Sequence, residues 1–303
     1  FHSPDQGLIR GCIDDLMPGL TDDHLIILRS TVYPGTTDWV DRYLKKAGKG
    51  TLESFCPERV VQGKSIQELQ EVPQIVSGTT PEATLAAAKI FDVFAPESVE
   101  LTPMEAEFAK LFTNAYRYIQ FAITNEFFSV ANSAGVNYHN ILGAITKNYP
   151  RAKGIPTPGF TAGPCLFKDT MQLVAYANNQ FNLGTAGMLV NEGLVLYVID
   201  RLTKSYDLSK MTVGILGMAF KADSDDIRSS LSYKMKKVLV THADEVIATD
   251  PLVTVDDTLL PLDEVIDRSD LLILCTPHSA YKDLDTKGKP VADVWNYVNG
   301  ALI

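Results

Sequence analysis

The 303-residue sequence is 46% hydrophobic and 21% charged, a globular balance with length enough for two or three cores. A net charge of −10 excludes a basic nucleic-acid footprint. No continuous apolar run approaches the roughly eighteen residues of a membrane span, so no membrane contact is expected. Cys12, Cys56, Cys165 and Cys275 lie far apart, and the five histidines form no cluster. Reduced thiols in a cytoplasmic enzyme and no metal site are the expectation.

In chain order, Leu25-Ile26-Ile27-Leu28 reads as a buried strand leading into Arg29-Ser30-Thr31. Pro34-Gly35-Thr36-Thr37 turns into a helix with Trp39, Val40, Tyr43 and Leu44 at helical spacing. Strand-like patches follow at Phe55-Cys56 and at Ile75-Val76, then a helix from Pro81 to Phe94 with proline in its first turn. This β-α alternation predicts a parallel, doubly wound α/β domain. Ligands gather at the carboxyl ends of such strands, which makes Ser30-Thr31 and Pro57-Glu58 candidate site positions. A helix cap or a solvated loop residue is the plain alternative for each.

Around Thr102 the period changes. Thr102-Pro103-Met104-Glu105 fits an N-cap, a proline at N1 and a capping-box acid. A long helix is predicted from there to about Ala134, with an apolar stripe through Phe108, Leu111, Phe112, Ala115, Ile119, Ala122 and Ile123. Lys110 and Asn114, at i and i+4, sit side by side on it. Further helices are predicted at Tyr138–Lys147, Cys165–Ala177 and Gly184–Lys204.

One cysteine stands out. In Gly159-Phe160-Thr161-Ala162-Gly163-Pro164-Cys165-Leu166-Phe167-Lys168-Asp169, glycine and proline make a loop and the helix begins at Cys165. A helix N-terminus favours a thiolate. If the helix starts there, Lys168 and Asp169 share its face. A buried, inert thiol is the alternative.

From Lys210 the alternation returns. Met211–Leu216, Val246–Asp250, Asp270–Thr276 and Val291–Val294 read as strands, with a helix holding Leu231, Met235, Val238 and Leu239. The glycines of Gly214-Ile215-Leu216-Gly217 miss the dinucleotide spacing. Asp250 ends a second strand where it could imitate a ribose-binding acid, but a turn-forming Asp-Pro is the reading preferred. The fold class expected is α/β: two Rossmann-like doubly wound domains joined by a central all-helical domain, at residues 1–96, 97–205 and 206–303.

The cysteine loop does not stand alone. Ser30-Thr31-Val32-Tyr33-Pro34-Gly35-Thr36, Cys56-Pro57-Glu58-Arg59, Ala106-Glu107-Phe108-Ala109-Lys110-Leu111 with Asn114 and Asn125-Glu126, and Ala219-Phe220-Lys221-Ala222-Asp223 through Asp226-Ile227-Arg228-Ser229-Ser230 accompany it in order. Together they resemble the nucleotide-sugar 6-dehydrogenases, the UDP-glucose and UDP-N-acetylhexosamine dehydrogenase family. Members oxidise the C6 alcohol of a nucleotide sugar to a carboxylate, reducing two NAD+. The resemblance implies that residues 1–96 are the second half of an NAD-binding domain. Its Gly-x-Gly-x-x-Gly loop, carried by members near their N-termini, does not occur in the sequence.

Carried over residue by residue, the resemblance makes Cys165 a nucleophile that traps the C6 aldehyde as a thiohemiacetal and then a thioester. Lys110 and Asn114 stabilise the oxyanion. Asp169 positions water or accepts protons, and Glu58 assists hydrolysis. Thr31 adjoins the nicotinamide, and Gln62, Lys168 and Arg228 are further cofactor positions. Arg59, Val60, Gly159, Phe160 and Gly163 join Glu58, Lys110 and Asn114 around the substrate. Phe220 and Lys221 hold the UDP, Arg151 reaches the neighbouring subunit's site, and the helical domain forms a homodimer.

Two departures stand out. Ala162-Gly163 replaces the usual glycine pair, and Phe167 replaces the usual proline after the cysteine, which reshapes the sugar pocket. Pro57-Glu58-Arg59 resembles the N-acetylhexosamine branch, so a UDP-N-acetylhexosamine such as UDP-N-acetylmannosamine is expected as substrate, with UDP-glucose as the alternative. A 6-phosphogluconate or β-hydroxyacid dehydrogenase relative also pairs lysine with asparagine, but needs no thiolate. A non-catalytic UDP-sugar-binding dimer is the reading of another class.

Overall fold

The computed structural model describes residues 7–60, 65–160 and 163–298, so Gln62 lies outside the described residues. It divides into two compact units, residues 1–115 with 169–181 and residues 116–168 with 182–303.

In the first unit, α1 (Gly7–Leu16) is followed by β1 (Leu25–Leu28), α2 (Thr36–Lys46), β2 (Leu52–Phe55), α3 (Ser65–Glu71), β3 (Gln74–Val76), α4 (Pro81–Phe91) and β4 (Ser98–Glu100). β1 and β2 run parallel from Leu25 against Leu52 to Leu28 against Phe55, and β3 and β4 also pair in parallel. Parallel neighbours need a crossover, and α2 supplies it while burying Val40 and Leu44 completely. Ser77 ties β2 to β3, its hydroxyl donating to the Phe55 carbonyl at 2.7 Å, while the Thr79 amide donates to the Glu53 carbonyl at 2.9 Å. Thr80 caps α4, which ends at Phe91 rather than Phe94. Helices α1 and α3 and strand β4 are elements that the sequence reading did not contain.

α5 (Pro103–Ser133) is the long helix expected, and its start is a capping box. The Thr102 amide and hydroxyl donate to Glu105 Oε2 at 2.9 and 2.7 Å, and the Glu105 amide donates back at 3.4 Å. α6 (Tyr138–Thr146), α7 (Pro164–Tyr176) and α8 (Asn182–Ser205) follow. By length and composition α8 is apolar enough to cross a membrane, unlike the sequence expectation. It buries Asn191, Leu194, Val195, Val198, Ile199 and Leu202 along one face, as a core helix does.

The second unit adds β5 (Thr212–Leu216), α9 (Leu231–Leu239), β6 (Glu245–Thr249), α10 (Leu262–Arg268), β7 (Leu271–Leu274) and β8 (Val291–Ala292). The sheet is parallel throughout in the order β6-β5-β7-β8. All four residues of β7 are buried, as a strand covered on both faces requires. Since β6 and β7 flank β5, the order reverses at the carboxyl end of β5. A doubly wound sheet receives its ligand at such a switch point.

Candidate functional site

In the first unit the site is built on one stripe of α5. Glu107, Lys110 and Asn114, at i, i+3 and i+7, face the same way and meet three different segments. Glu107 is buried and accepts from the Gly35 amide at 2.5 Å, the Thr37 amide at 2.8 Å and the Thr37 hydroxyl at 2.6 Å. Gly35 is the N-cap of α2 and has no side chain to offer, so a carboxylate from α5 does the capping. Burial pushes the Glu107 carboxyl up, against the pull of the Thr37 and Gly35 donors.

Lys110 Nζ donates to the Glu58 carbonyl at 2.6 Å. Asn114 Nδ2 donates to Asp169 Oδ2 at 2.6 Å, and the Thr31 hydroxyl donates to the same oxygen at 3.3 Å. Asp169 is fully buried. The unit therefore brings together Thr31, Glu58, Arg59, Val60, Lys110, Asn114 and Asp169.

Glu58 stands just past β2. Its Oε1 accepts from the Arg59 amide at 2.8 Å and the Val60 amide at 3.0 Å, and its Oε2 pairs with Arg29. Burial works to raise this carboxyl, but the Val60 amide, Arg29 and the Arg59 amide outweigh it and leave the pKa below the ordinary range. The Arg59 guanidinium donates to the Pro73 carbonyl, and burial lowers its pKa against the attraction of Glu58. Sequence reasoning missed both Glu107 and Arg29 as site builders. A helix opening on a glycine cap was the signal for the first, and a lone cation closing an apolar strand for the second.

In the second unit, α7 begins at Pro164 and sets Cys165 in its first turn, exposed. Cys165 is not the buried thiol of the alternative reading. Cys56 and Cys275 are the buried thiols, pushed up by burial, Cys56 to about 11. Along α7 the burial alternates sharply: Cys165 and Lys168 are exposed, whereas Asp169 is buried.

Behind the cysteine, the loop is clamped. Asn125 accepts from the Gly159 amide at 2.8 Å and donates to the Gly159 carbonyl at 3.1 Å and to Asn191 Oδ1 at 2.9 Å. A Cβ on Gly159 would lie 2.2 Å from the Trp295 ring, and one on Gly163, at φ +108°, would lie 2.7 Å from the Phe220 ring. Phe160 is buried between these points, 3% exposed. Lys221 is half-buried beside Phe220. Arg228 is held by Asp226 through Nε at 3.0 Å and Nη2 at 2.6 Å, which raises its pKa, and Cys165 adds a weaker attraction. Arg151 is exposed in the turn Pro150–Ala152 and donates to the Tyr149 hydroxyl at 3.2 Å.

Asp250 does form the turn, accepting from the Leu252 and Val253 amides at 2.8 and 3.0 Å. The same carboxylate also takes the Met218 and Ala219 amides at 2.6 and 3.0 Å. It is saturated by protein donors, which leaves no oxygen for a ribose.

Residues 2–96 match the NAD binding domain of the UDP-glucose/GDP-mannose dehydrogenase family, residues 104–192 its central domain and residues 214–300 its UDP binding domain. The sequence is 30% identical over 309 residues to the UDP-N-acetyl-D-mannosamine dehydrogenase of Methanocaldococcus jannaschii, an alignment covering 97% of this chain and 71% of that one. The structure of the Pyrococcus horikoshii UDP-D-ManNAc dehydrogenase matches with a TM-score of 0.90 at 26% identity, over 99% of this chain and 76% of the other. The Staphylococcus aureus UDP-N-acetyl-mannosamine dehydrogenase matches with a TM-score of 0.86 at 29% identity, over 98% and 74%.

Proposed function

The chain belongs to the UDP-glucose/GDP-mannose dehydrogenase family and is an NAD-dependent UDP-sugar dehydrogenase, and from that premise we propose that it oxidises C6 of a UDP-N-acetylhexosamine to the uronate. UDP-N-acetylmannosamine is the favoured sugar. The names of the relatives and the Pro57-Glu58-Arg59 sequence support that choice. The observation that carries the chemistry is the α5 stripe, which joins Lys110 and Asn114 to Glu58, Thr31 and Asp169 within one unit.

Two NAD+ molecules, bound in succession, would each accept one hydride, the first from the alcohol and the second from the thiol adduct. The donor set fits the cofactor's nicotinamide end: the Thr31 hydroxyl lies just beyond the carboxyl end of β1, where a doubly wound sheet holds a dinucleotide. Lys168 and Arg228 are the cations proposed for its phosphates.

Cys165 adds to the C6 aldehyde and carries the acyl group as a thioester until water releases the acid. The Lys110 ammonium stabilises the developing oxyanion, with the Asn114 amide beside it. Asp169 holds Asn114 and Thr31 and receives protons, and Glu58 assists the attacking water. Phe220 and Lys221, following the switch point of the second sheet, hold the UDP, and Gly159, Phe160 and Gly163 frame the sugar. We assign residues 1–96 to cofactor binding, 97–205 to the catalytic and dimerisation helices, and 206–303 to UDP binding. A homodimer through α5 accounts for Tyr116, Ile123, Phe127 and Val130, all exposed at helical spacing. Four unpaired cysteines suit the cytoplasm.

NADH formation with a panel of UDP-N-acetylmannosamine, UDP-N-acetylgalactosamine, UDP-N-acetylglucosamine and UDP-glucose tests the assignment. An N-acetylated sugar should be turned over best, with two NADH per uronate. Preference for UDP-glucose would refute the sugar, and one NADH per product would refute the thioester route.

A further inference from the structure

Arg29 is a cation placed at the end of an entirely apolar strand. It follows Leu28, the last residue of β1, and its side chain is half-buried. Nη2 donates to Glu58 Oε2. The guanidinium lies over the Phe91 ring, with Cζ 4.8 Å from the centroid. Nη1 is buried without a hydrogen-bond partner, as stacking on an aromatic face leaves it. The Arg29 carbonyl also accepts the Glu58 amide at 3.2 Å.

The two residues are thus joined twice, side chain to side chain and main chain to main chain. Glu58 then holds Lys110 through its own carbonyl at 2.6 Å. With Oε1 fixed by the Arg59 and Val60 amides and Oε2 by Arg29, the carboxylate has one orientation. Among the described residues, the charged groups facing this residue are Arg29 from the loop after β1, Arg59 on its own loop and Lys110 from α5.

We propose that Arg29 is a positioning residue that fixes the Glu58 carboxylate and, through the Glu58 main chain, the Lys110 ammonium. This rests on the reading above that Glu58 and Lys110 serve the reacting centre. Displacement of such groups by an ångström costs on the order of a hundredfold in rate. The fixed charge of Arg29 also keeps Glu58 ionised, so its removal should shift the Glu58 titration to higher pH.

Four variants decide it: Arg29→Met, Arg29→Lys, Glu58→Gln and the double Arg29→Met/Glu58→Gln. Each is assayed with UDP-N-acetylmannosamine and UDP-glucose as probes, and in wild type and the variants that keep Glu58 its carboxyl is followed by carbon-13 NMR across pH. Arg29→Met should lose on the order of a hundredfold in kcat with KM nearly unchanged, and Arg29→Lys should recover most of it. The double variant should be scarcely slower than Glu58→Gln, because the two act as one unit. A normal kcat in Arg29→Met beside a slow Glu58→Gln overturns the proposal, as do additive losses. Wild-type turnover in Glu58→Gln instead removes the reading beneath it. Should Arg29→Met fail to fold, or neither probe be turned over, Arg29→Gln in the same titration decides: an unmoved Glu58 midpoint overturns the proposal.

Discussion

The Asp250 carboxylate lies 3.0 Å from Nε2 of His278, and neither side chain is exposed. His278 Nδ1 accepts the Asp223 amide at 3.0 Å, so Nε2 carries the ring proton and donates it to Asp250. With the amides of Met218, Ala219, Leu252 and Val253, this one anion ties together the loops after β5, β6 and β7.

Burial alone would raise the Asp250 carboxyl, yet His278 and the amides of Leu252, Ala219 and Met218 draw it down to about 2. A depressed carboxyl contributes stability that is complete above its unfolded pKa of about 3.9 and is lost as pH falls through the folded value. We predict that Asp250→Asn destabilises the protein by about 2 kcal/mol near neutral pH and flattens the acid limb between about pH 4 and pH 2. Denaturant titrations across pH measure both. Unchanged stability near neutral pH would contradict the clamp.

Cys165→Ser should retain the first oxidation but slow release of the acid, since an alkoxide is a poorer leaving group than a thiolate. Intact-mass spectrometry during turnover should then show an ester-linked adduct. Cys165→Ala should make no uronate, and wild-type turnover in it would remove the cysteine from the mechanism.

Lys110→Ala should lower kcat on the order of a hundredfold or more while leaving UDP affinity nearly unchanged. Its partner is the Glu58 carbonyl, and the nucleotide is assigned to residues 220 and 221. Calorimetry with UDP beside steady-state rates separates the two effects. Normal rates with lower stability would make the lysine structural.

Gly159→Ala places a methyl 2.2 Å from the Trp295 ring, whose Nε1 is held by the Cys275 carbonyl at 3.2 Å. The ring has no easy retreat, so a loss of about 1–3 kcal/mol is expected, as for overpacking elsewhere. Thermal melts of Gly159→Ala alone and with Trp295→Leu are the measurement. The second change should recover part of the loss, and equal melting of both would argue against the contact.

Phe127→Lys should convert the proposed homodimer to monomer in sedimentation analysis. It charges an exposed stripe without touching the core. Persistence of the dimer would move the interface off α5.

The parts of this fold that were legible in the sequence carry their own local signal. Thr102-Pro103-Met104-Glu105 announces the start of α5 because the capping box is written in four consecutive residues. Leu271–Leu274 reads as a buried strand because every residue is apolar. Helix α3, Ser65–Glu71, buries none of its residues and so has no amphipathic pattern to betray it. Strand β4 is three residues long. In the site, resemblance supplied Lys110 and Asn114, but not Glu107 as the cap of α2 or Arg29 as the partner of Glu58. Those contacts span 72 and 29 residues of sequence, a distance over which no local pattern speaks.

The stripe Glu107–Lys110–Asn114 also limits how this stretch can change length. One residue inserted between Glu107 and Asn114 would turn everything beyond it by about 100° around the helix axis. The cap on α2 would survive, while Asn114 would swing away from Asp169. One or two deleted residues would do comparable harm, and only a change near a full turn, about three or four residues, would nearly restore the alignment, shifted about 5 Å along the axis. Relatives that preserve these contacts should therefore place gaps in the loops around α5 and keep the eight positions from 107 to 114 unbroken.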